Sequence, residues 1–173
     1  YEAPIMLERS NFSEVVCREL QLDLPQPNLT EWNQMLDRVR GSKEHVKIGL
    51  VGTGGISHAH MLGYAKLAEE GKVELVAACD INRARAEQWA KKYGFREVYG
   101  NHSEMLAKSD LDAISVCTWN NGHAPITIDA LRAGKNVLCE KPAARTYAEV
   151  EQMVQAQRET GKILVIGVVN RFN

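Results

Sequence analysis

The sequence lacks the charge excess and the long hydrophobic runs that would assign it to several broad classes of protein. Its formal net charge is -1 over 173 residues, so neither nucleic acid nor an anionic membrane surface is an expected partner. No apolar run is long enough to cross a membrane, and the N-terminus has no basic stretch followed by an apolar one, as a secretory signal would. These absences predict a globular protein of the cytoplasm.

Paired cysteines are also missing. The four cysteines show no Cys-x-x-Cys spacing, which argues against a zinc site or a redox pair of that kind. Cys79, Cys117 and Cys139 each stand at the end of an apolar run, where a small thiol packs well. We therefore expect buried free thiols in a reducing compartment, and no metal site.

From residue 46 onward, short apolar runs alternate with amphipathic segments. Most of the runs are continuously apolar, as in a parallel sheet that is covered on both faces. Helices are predicted between them, including one near 124–133 with Pro125 in its first turn and one that opens with the capping box Thr146 to Glu149. The predicted fold class is α/β, a doubly wound parallel sheet. Its predicted strands are 46–51, 73–79, 97–99, 113–118, 136–139 and 163–169.

Residues 1–45 have a different pattern. The spacer Leu24-Pro-Gln-Pro27 separates two short predicted helices, since neither proline fits inside a helix. The second helix carries one apolar face, and Gly41 ends it. We expect this segment to be a helical appendage outside the sheet core, loosely docked, with the dinucleotide-binding domain at 46–173. The apolar face consists of Trp32, Met35, Leu36 and Val39.

A glycine-rich turn follows the first predicted strand. Gly52 permits the tight turn, and Gly54 lets the backbone approach a pyrophosphate. The free N–H groups at the start of the next helix attract phosphates, and Ser57 takes the third small position of the pattern. An ordinary glycine turn would look the same, but the place between a strand and a helix favours dinucleotide binding. The turn reads Gly52, Thr53, Gly54, Gly55, Ile56.

Asp80 ends the second predicted strand and bears on the choice of cofactor. A carboxylate there can accept hydrogen bonds from an adenosine ribose and repels a 2′-phosphate, which favours NAD over NADP. Arg83 lies three residues further on and could instead bind that phosphate, which leaves NADP possible. Asp80 could also serve only as a cap for the helix that follows.

Further polar residues follow the fourth and fifth predicted strands, where a doubly wound sheet binds its cofactor. Asn120 can bond ribose or amide groups, whereas His123 either takes part in binding or only caps the adjacent helix. Lys141 could donate to a substrate oxygen, or could be an ordinary lysine of a surface loop. Pro142 fixes the backbone after it and could follow a cis peptide bond.

From about residue 47 to 173 the chain resembles the glucose-fructose oxidoreductase, inositol dehydrogenase and rhizopine-catabolism family (Gfo/Idh/MocA). The motifs that carry the resemblance are the glycine turn, Asp80, Thr118-Trp-Asn120 with His123, Ala133 to Pro142, and Arg171-Phe172. Trp119 stands where the family's Thr-Pro-Asn motif has proline. The resemblance implies hydride transfer between a sugar or polyol carbinol and nicotinamide, with Lys141 near both. It implies cofactor contacts from the glycine turn, Asp80, Arg83, Thr118, Asn120, His123, Glu140 and Lys141.

The same resemblance implies a second domain that this sequence does not contain. Family members continue past Arg171-Phe172 into an α/β domain that supplies further catalytic residues and shapes the substrate pocket. We therefore expect the chain alone to be inactive, and the family's homo-oligomer is not expected of this fragment. A domain that binds NAD and catalyses nothing is the alternative function.

Residues 1–47 resemble a different family. Tyr1 to Glu8, Val16 to Leu20, Leu24 to Pro27 and Leu29 to Trp32 are similar to the end of the synthetase domain of CTP synthase and its linker. The glutaminase nucleophile turn and the nucleotide-binding core of that family are missing. The resemblance implies a fusion of two unrelated pieces, and a fragment of a glutamine-dependent ligase is a further alternative.

Overall fold

The computed structural model describes residue 41 and residues 44–167. Our predictions for residues 1–40, which include the two helices, the proline spacer and the fourth cysteine, lie outside the described residues. So do the motif Arg171-Phe172 and the end of the sixth predicted strand.

Six parallel strands form one sheet in the order β3-β2-β1-β4-β5-β6. This order confirms the doubly wound parallel sheet. Its strands are β1 (Val46–Val51), β2 (Val73–Cys79), β3 (Glu97–Tyr99), β4 (Ala113–Val116), β5 (Asn136–Glu140) and β6 (Leu164–Gly167). The helices between them are α1 (Ser57–Glu69), α2 (Arg83–Tyr93), α3 (His102–Lys108), α4 (Asn120–Arg132) and α5 (Tyr147–Thr160).

Helices cover both faces of the sheet and bury two hydrophobic clusters. On one face α1 and α2 pack on the central strands through side chains such as Met61 and Trp89. On the other face α3, α4 and α5 contribute side chains such as Met105, Leu131 and Met153. Because strands such as β2 and β4 are covered on both sides, their sequences are continuously apolar.

The helix ends follow local sequence signals in most places. Gly94 ends α2 in the left-handed conformation, with φ 83°, and the Thr146–Glu149 capping box is formed at the start of α5. One prediction was wrong: α4 begins at Asn120, so Pro125 lies inside the helix rather than in its first turn. The Gly122 N–H donates to the Trp119 carbonyl oxygen at 2.8 Å, which closes a helical turn before the proline is reached.

The buried thiols are as predicted. Cys79, Cys117 and Cys139 are free and buried, and burial raises the pKa of each thiol to about 12. Within residues 44–167, no group of His, Cys, Asp and Glu side chains is arranged to hold a metal ion. No helix of the described part of the chain has the length and apolar character needed to cross a membrane.

Candidate cofactor site

The predicted site residues lie in the turns that follow β1, β2, β4 and β5. These four strands are neighbours in the sheet, and all are parallel, so their carboxyl ends meet at one edge. The strand order reverses between β1 and β4. In doubly wound folds this switch point opens the crevice in which ligands bind.

The three glycines of the first turn do different things. Gly52 has φ +91°, and a Cβ atom there would lie 2.6 Å from the Cys117 carbonyl oxygen, so only glycine fits between the ends of β1 and β4. A Cβ atom at Gly54 or Gly55 would meet nothing within 4 Å. Glycine at these two positions is therefore not required by the fold, and it leaves the backbone open to a ligand.

The start of α1 has no capping or acidic side chain that would compete with an anion. Its N-cap residue, Ile56, makes no capping hydrogen bond with its side chain, and its first turn contains no acidic residue. Ser57 is fully buried, and its hydroxyl donates to the Gly54 carbonyl oxygen. The serine therefore fits the small position by bonding to the turn itself. The N–H groups of His58 and Ala59 donate to the carbonyl oxygens of Gly55 and Ile56, so the attraction for an anion rests mainly on the positive end of the helix dipole.

Asp80 is bound to the glycine turn. Its Oδ2 atom accepts hydrogen bonds from the Thr53 backbone N–H at 2.9 Å and from the Thr53 hydroxyl at 2.8 Å. Its Oδ1 atom accepts one from the Asn82 N–H at 2.8 Å, which leaves capacity for a further donor such as a ribose hydroxyl. Burial raises the pKa of this carboxyl, but the hydrogen bonds outweigh it, and the pKa of Asp80 lies below its usual value.

A different arginine from the predicted one lies near Asp80. The Arg83 guanidinium bonds the Glu87 carboxylate on the exposed face of α2, at 3.2 Å. Arg85 lies closer to the site, with a guanidinium nitrogen 3.9 Å from Asp80 Oδ2. The sequence pattern did not single out Arg85. A cofactor contact of Arg83 stays a prediction.

His123 joins the turns after β4 and β5. The ring is 1% exposed, with Nδ1 2.6 Å from the Pro142 carbonyl oxygen and Nε2 3.1 Å from the Thr118 carbonyl oxygen. A neutral imidazole donates to one of these carbonyls, and an imidazolium donates to both. The side chain fixes the walls of the crevice, and its direct contact with a cofactor stays a prediction.

Asn120 and Lys141 lie on the surface of the same edge. Asn120 is the exposed first residue of α4, and the hydroxyl of the half-buried Thr118 donates to the Trp119 carbonyl oxygen at 3.2 Å. Lys141 is exposed, directly after the last residue of β5. The Lys141–Pro142 peptide bond is cis. The structure thus brings these predicted residues to one edge of the sheet, together with the glycine turn and Asp80.

Glu140 belongs to a buried polar network that sequence reasoning missed. Its Oε1 atom lies 2.9 Å from His60 Nε2, and His60 Nδ1 lies 2.8 Å from the Ser115 hydroxyl, which also bonds Tyr64. Burial raises the pKa of Glu140, but His60 and the Lys141 N–H outweigh it, so the pKa lies below its usual value. Because Glu140 is 80 residues from His60, no spacing in the sequence could have signalled the pair.

Most of the exposed large apolar side chains of the described residues lie at this edge. Ile56, Ile81, Trp119 and Tyr147 follow β1, β2, β4 and β5, and the exposed fractions of Ile81 and Trp119 are 95% and 84%. Leu62, on the surface of α1, is the other member of this group. Exposed apolar side chains that collect at one place mark a binding surface more often than scattered ones do.

Comparison with known proteins also identifies this part of the chain as a dinucleotide-binding domain. The model of a family described as GFO_IDH_MocA, an oxidoreductase family with an NAD-binding Rossmann fold, matches residues 46–168. An inositol 2-dehydrogenase/D-chiro-inositol 3-dehydrogenase of Shouchella clausii is 36% identical over 130 residues. A D-glucoside 3-dehydrogenase of Escherichia coli is 33% identical over 127 residues. The alignments cover 74% and 73% of this chain, but 37% and 36% of the two relatives.

Solved structures agree with these sequence matches. The WlbA dehydrogenase of Bordetella pertussis, solved with NADH and UDP-GlcNAcA, superposes with a TM-score of 0.68 and 32% identity. A myo-inositol 2-dehydrogenase of Lactobacillus plantarum gives a TM-score of 0.67 and 27% identity. Each superposition covers 75% of this chain and 38% of the other. The family match begins at residue 46, so the resemblance of residues 1–47 to CTP synthase stays a prediction.

Proposed function

Because the chain belongs to the GFO_IDH_MocA family of oxidoreductases with an NAD-binding Rossmann fold, we propose that it is the cofactor-binding part of a sugar or polyol dehydrogenase. One observation carries the proposal. The turn at Gly54 that is open to a ligand, the ionised Asp80 and the exposed Lys141 follow β1, β2 and β5, whose carboxyl ends lie at the same edge of the sheet.

The proposed binding mode follows from the chemistry of each part. The pyrophosphate lies against the open backbone at Gly54 and Gly55, where the positive end of the α1 dipole stabilises its charge. The adenosine ribose donates to Asp80. A 2′-phosphate would bring two negative charges to a carboxylate that Thr53 already holds in place, so NAD is the preferred cofactor.

The reactive end of the cofactor is proposed to lie toward β4 and β5. Bound NAD would supply the hydride acceptor of the reaction. Asn120 would orient the nicotinamide side through its amide, and the ammonium group of Lys141 would donate to the carbinol oxygen and stabilise the negative charge that forms there. His123 would hold the two turns that carry these side chains at a fixed distance.

The substrate class rests on the relatives and not on a pocket of this chain. Those reported above are named for inositols and glucosides, and one was solved with a sugar nucleotide. The chain spans less than two fifths of the length of these relatives. We therefore propose that the 173 residues bind NAD weakly and need a further domain to hold the carbinol within reach of the nicotinamide.

Calorimetric titration of the purified chain with NAD, and with NADP in parallel, tests the proposal. Saturable NAD binding that is weakened by replacing Asp80 supports it. The Asp129→Asn variant is the control, because Asp129 is half exposed on α4 and pairs only with His102 among the described residues. Lack of NAD binding by the folded chain would refute the proposed function.

A further inference from the structure

His60 lies on the helix that begins at the proposed phosphate site, and its side chain bonds residues of β4 and β5. α1 starts at Ser57, and His60 is one turn further along. The His60 side chain is 9% exposed and reaches across the sheet edge to Glu140, whose side chain is 7% exposed. Two buried polar side chains from α1 and β5 thus meet at the carboxyl edge of the sheet. The proposed binding mode uses neither side chain, and a cofactor contact of Glu140 stays a prediction.

The hydrogen bonds of this pair have a definite direction. The ionised Glu140 carboxylate can only accept, so His60 Nε2 carries the proton between them, over 2.9 Å. In a neutral ring Nδ1 is then an acceptor, and the Ser115 hydroxyl donates to it over 2.8 Å. Ser115 in turn can accept from Tyr64, with which it shares a hydrogen bond. The ring is fixed at both nitrogens.

The second oxygen of Glu140 reaches the residue that the proposed function places at the reacting carbinol. Glu140 Oε2 accepts the backbone N–H of Lys141 at 3.0 Å. Gly167 of β6 packs on the same carboxylate, where a Cβ atom would lie 3.2 Å from Oε1. The carboxylate is therefore held on one side by His60, enclosed by β6, and bonded on the other side to the main chain of Lys141.

We propose that His60 is a positioning residue for Lys141: by fixing the Glu140 carboxylate, it holds the backbone from which the Lys141 ammonium group reaches the substrate oxygen. The role of Lys141 in this inference rests on the proposed function, whereas the hydrogen bonds of His60 and Glu140 do not depend on it. Without the imidazole, the buried carboxylate would lose one of its two hydrogen bonds, which is unfavourable for a charged group. We therefore expect it to turn toward water, which breaks its remaining hydrogen bond with the Lys141 N–H.

Two variants separate the donor from the acceptor function of the ring. In His60→Asn the amide is long enough to bond Ser115, which lies near Nδ1, but too short to reach Glu140. In His60→Gln the side-chain N–H can reach Glu140. The control is His58→Asn, on the same helix, where the exposed histidine is 3.3 Å from the Tyr93 hydroxyl and has no bond to the network.

The readout is the backbone amide of Lys141 in the 173-residue chain, followed by NMR. In His60→Asn we expect its proton resonance to move upfield and its hydrogen exchange to accelerate about tenfold, as for the loss of a bond to a charged acceptor. In His60→Gln both values should return toward those of the wild type, and His58→Asn should leave them unchanged. An unchanged Lys141 amide in His60→Asn, or equal effects of both substitutions at position 60, would overturn the proposal.

A measurement on the wild-type chain tests the proposal even if the variants do not fold. With ¹⁵N-labelled histidine, the His60 ring should be protonated at Nε2, and an unprotonated Nε2 would also overturn the proposal. NAD binding is measured on the same samples. If the wild type binds no NAD while the Lys141 amide responds as expected, the proposed function fails and the positioning of the Lys141 backbone by His60 stands.

Discussion

Thr53 and Asp80 are joined by two hydrogen bonds to one carboxylate oxygen, at 2.9 Å from the backbone nitrogen and 2.8 Å from the hydroxyl of Thr53. The two residues are 27 positions apart, and the bonds tie the glycine turn after β1 to the end of β2. Asp80 therefore stabilises the shape of the turn before any cofactor is bound. A substitution at Asp80 must affect stability as well as binding.

The first prediction concerns this stability and its pH dependence. The pKa of Asp80 is lowered in the folded state, so the stabilisation is present above the pKa of the unfolded chain and is lost as the pH falls through the lower folded pKa. Asp80→Asn should reduce the unfolding free energy at pH 7 by about 1–3 kcal/mol. Urea unfolding of both proteins at pH 7 and at a series of decreasing acidic pH values measures both effects, and the difference in unfolding free energy should shrink as the pH falls. A variant as stable as the wild type at pH 7 would contradict the prediction.

The second prediction concerns the choice of cofactor. The chain should bind NAD more tightly than NADP, because the fixed carboxylate of Asp80 repels a 2′-phosphate more than Arg83, engaged with Glu87, can attract it. In Asp80→Ser the difference between the NAD and NADP affinities should become smaller, because a hydroxyl replaces the carboxylate that repels the 2′-phosphate. Titration of both proteins with both cofactors checks this. Equal affinities in the wild type, or tighter NADP binding, would show that an arginine of α2 dominates.

The glycine turn gives a third prediction, with a matched pair of variants. Gly52→Ala forces a side chain into a space where backbone atoms lie 2.6–2.8 Å away, at φ +91°, so it should destabilise the fold by about 3 kcal/mol. Gly54→Ala meets no atom within 4 Å and should leave the melting temperature nearly unchanged. It should nevertheless weaken NAD binding, because the methyl group stands where the pyrophosphate approaches. Normal NAD affinity of Gly54→Ala would place the pyrophosphate elsewhere.

Those parts of the fold that depend on local sequence were predictable. β1 and β2 have the predicted bounds, since strands buried on both faces are unbroken apolar runs. Gly94 and the capping box at Thr146 are also local signals, set by the conformation of one residue or by a pair three residues apart. The start of α4 was not predictable from Pro125. The helix begins five residues earlier, at Asn120, where the hydrogen bond from the Gly122 N–H to the Trp119 carbonyl oxygen closes the first turn.

The individual residues of the candidate site were predictable from the sequence, but most of the contacts between their side chains were not. The sequence placed Asp80 and Lys141 at strand ends, and the sheet order brings those ends to one edge. The contact of His60 with Glu140 depends on how α1 lies on β4 and β5, and no periodicity encodes that distance. For the same reason the pattern pointed to Arg83 by its spacing, whereas the helix turns Arg85 toward Asp80.

A fourth prediction concerns the boundary of the domain. The family match and β1 both begin at residue 46, and Val46 is fully buried. A variant that begins at Glu44 keeps the hydrogen bond of His45 with Glu74, 2.7 Å long. We expect it to unfold with a free energy within about 2 kcal/mol of the full chain and to bind NAD equally well. A larger loss would show that residues 1–43 contribute to the stability of the sheet domain.

The last prediction separates binding from chemistry at Lys141. The side chain is exposed and is proposed to meet the substrate oxygen and not the pyrophosphate, so Lys141→Ala should bind NAD within a few-fold of the wild type. Gly54→Ala is the matched comparison, because it alters the same edge of the sheet and should weaken binding. Neither the wild type nor Lys141→Ala should form NADH from inositols or glucosides, since an ammonium group alone cannot orient the carbinol. Substrate-dependent NADH formation by the 173-residue chain, abolished in Lys141→Ala, would show that this domain alone holds a working active site.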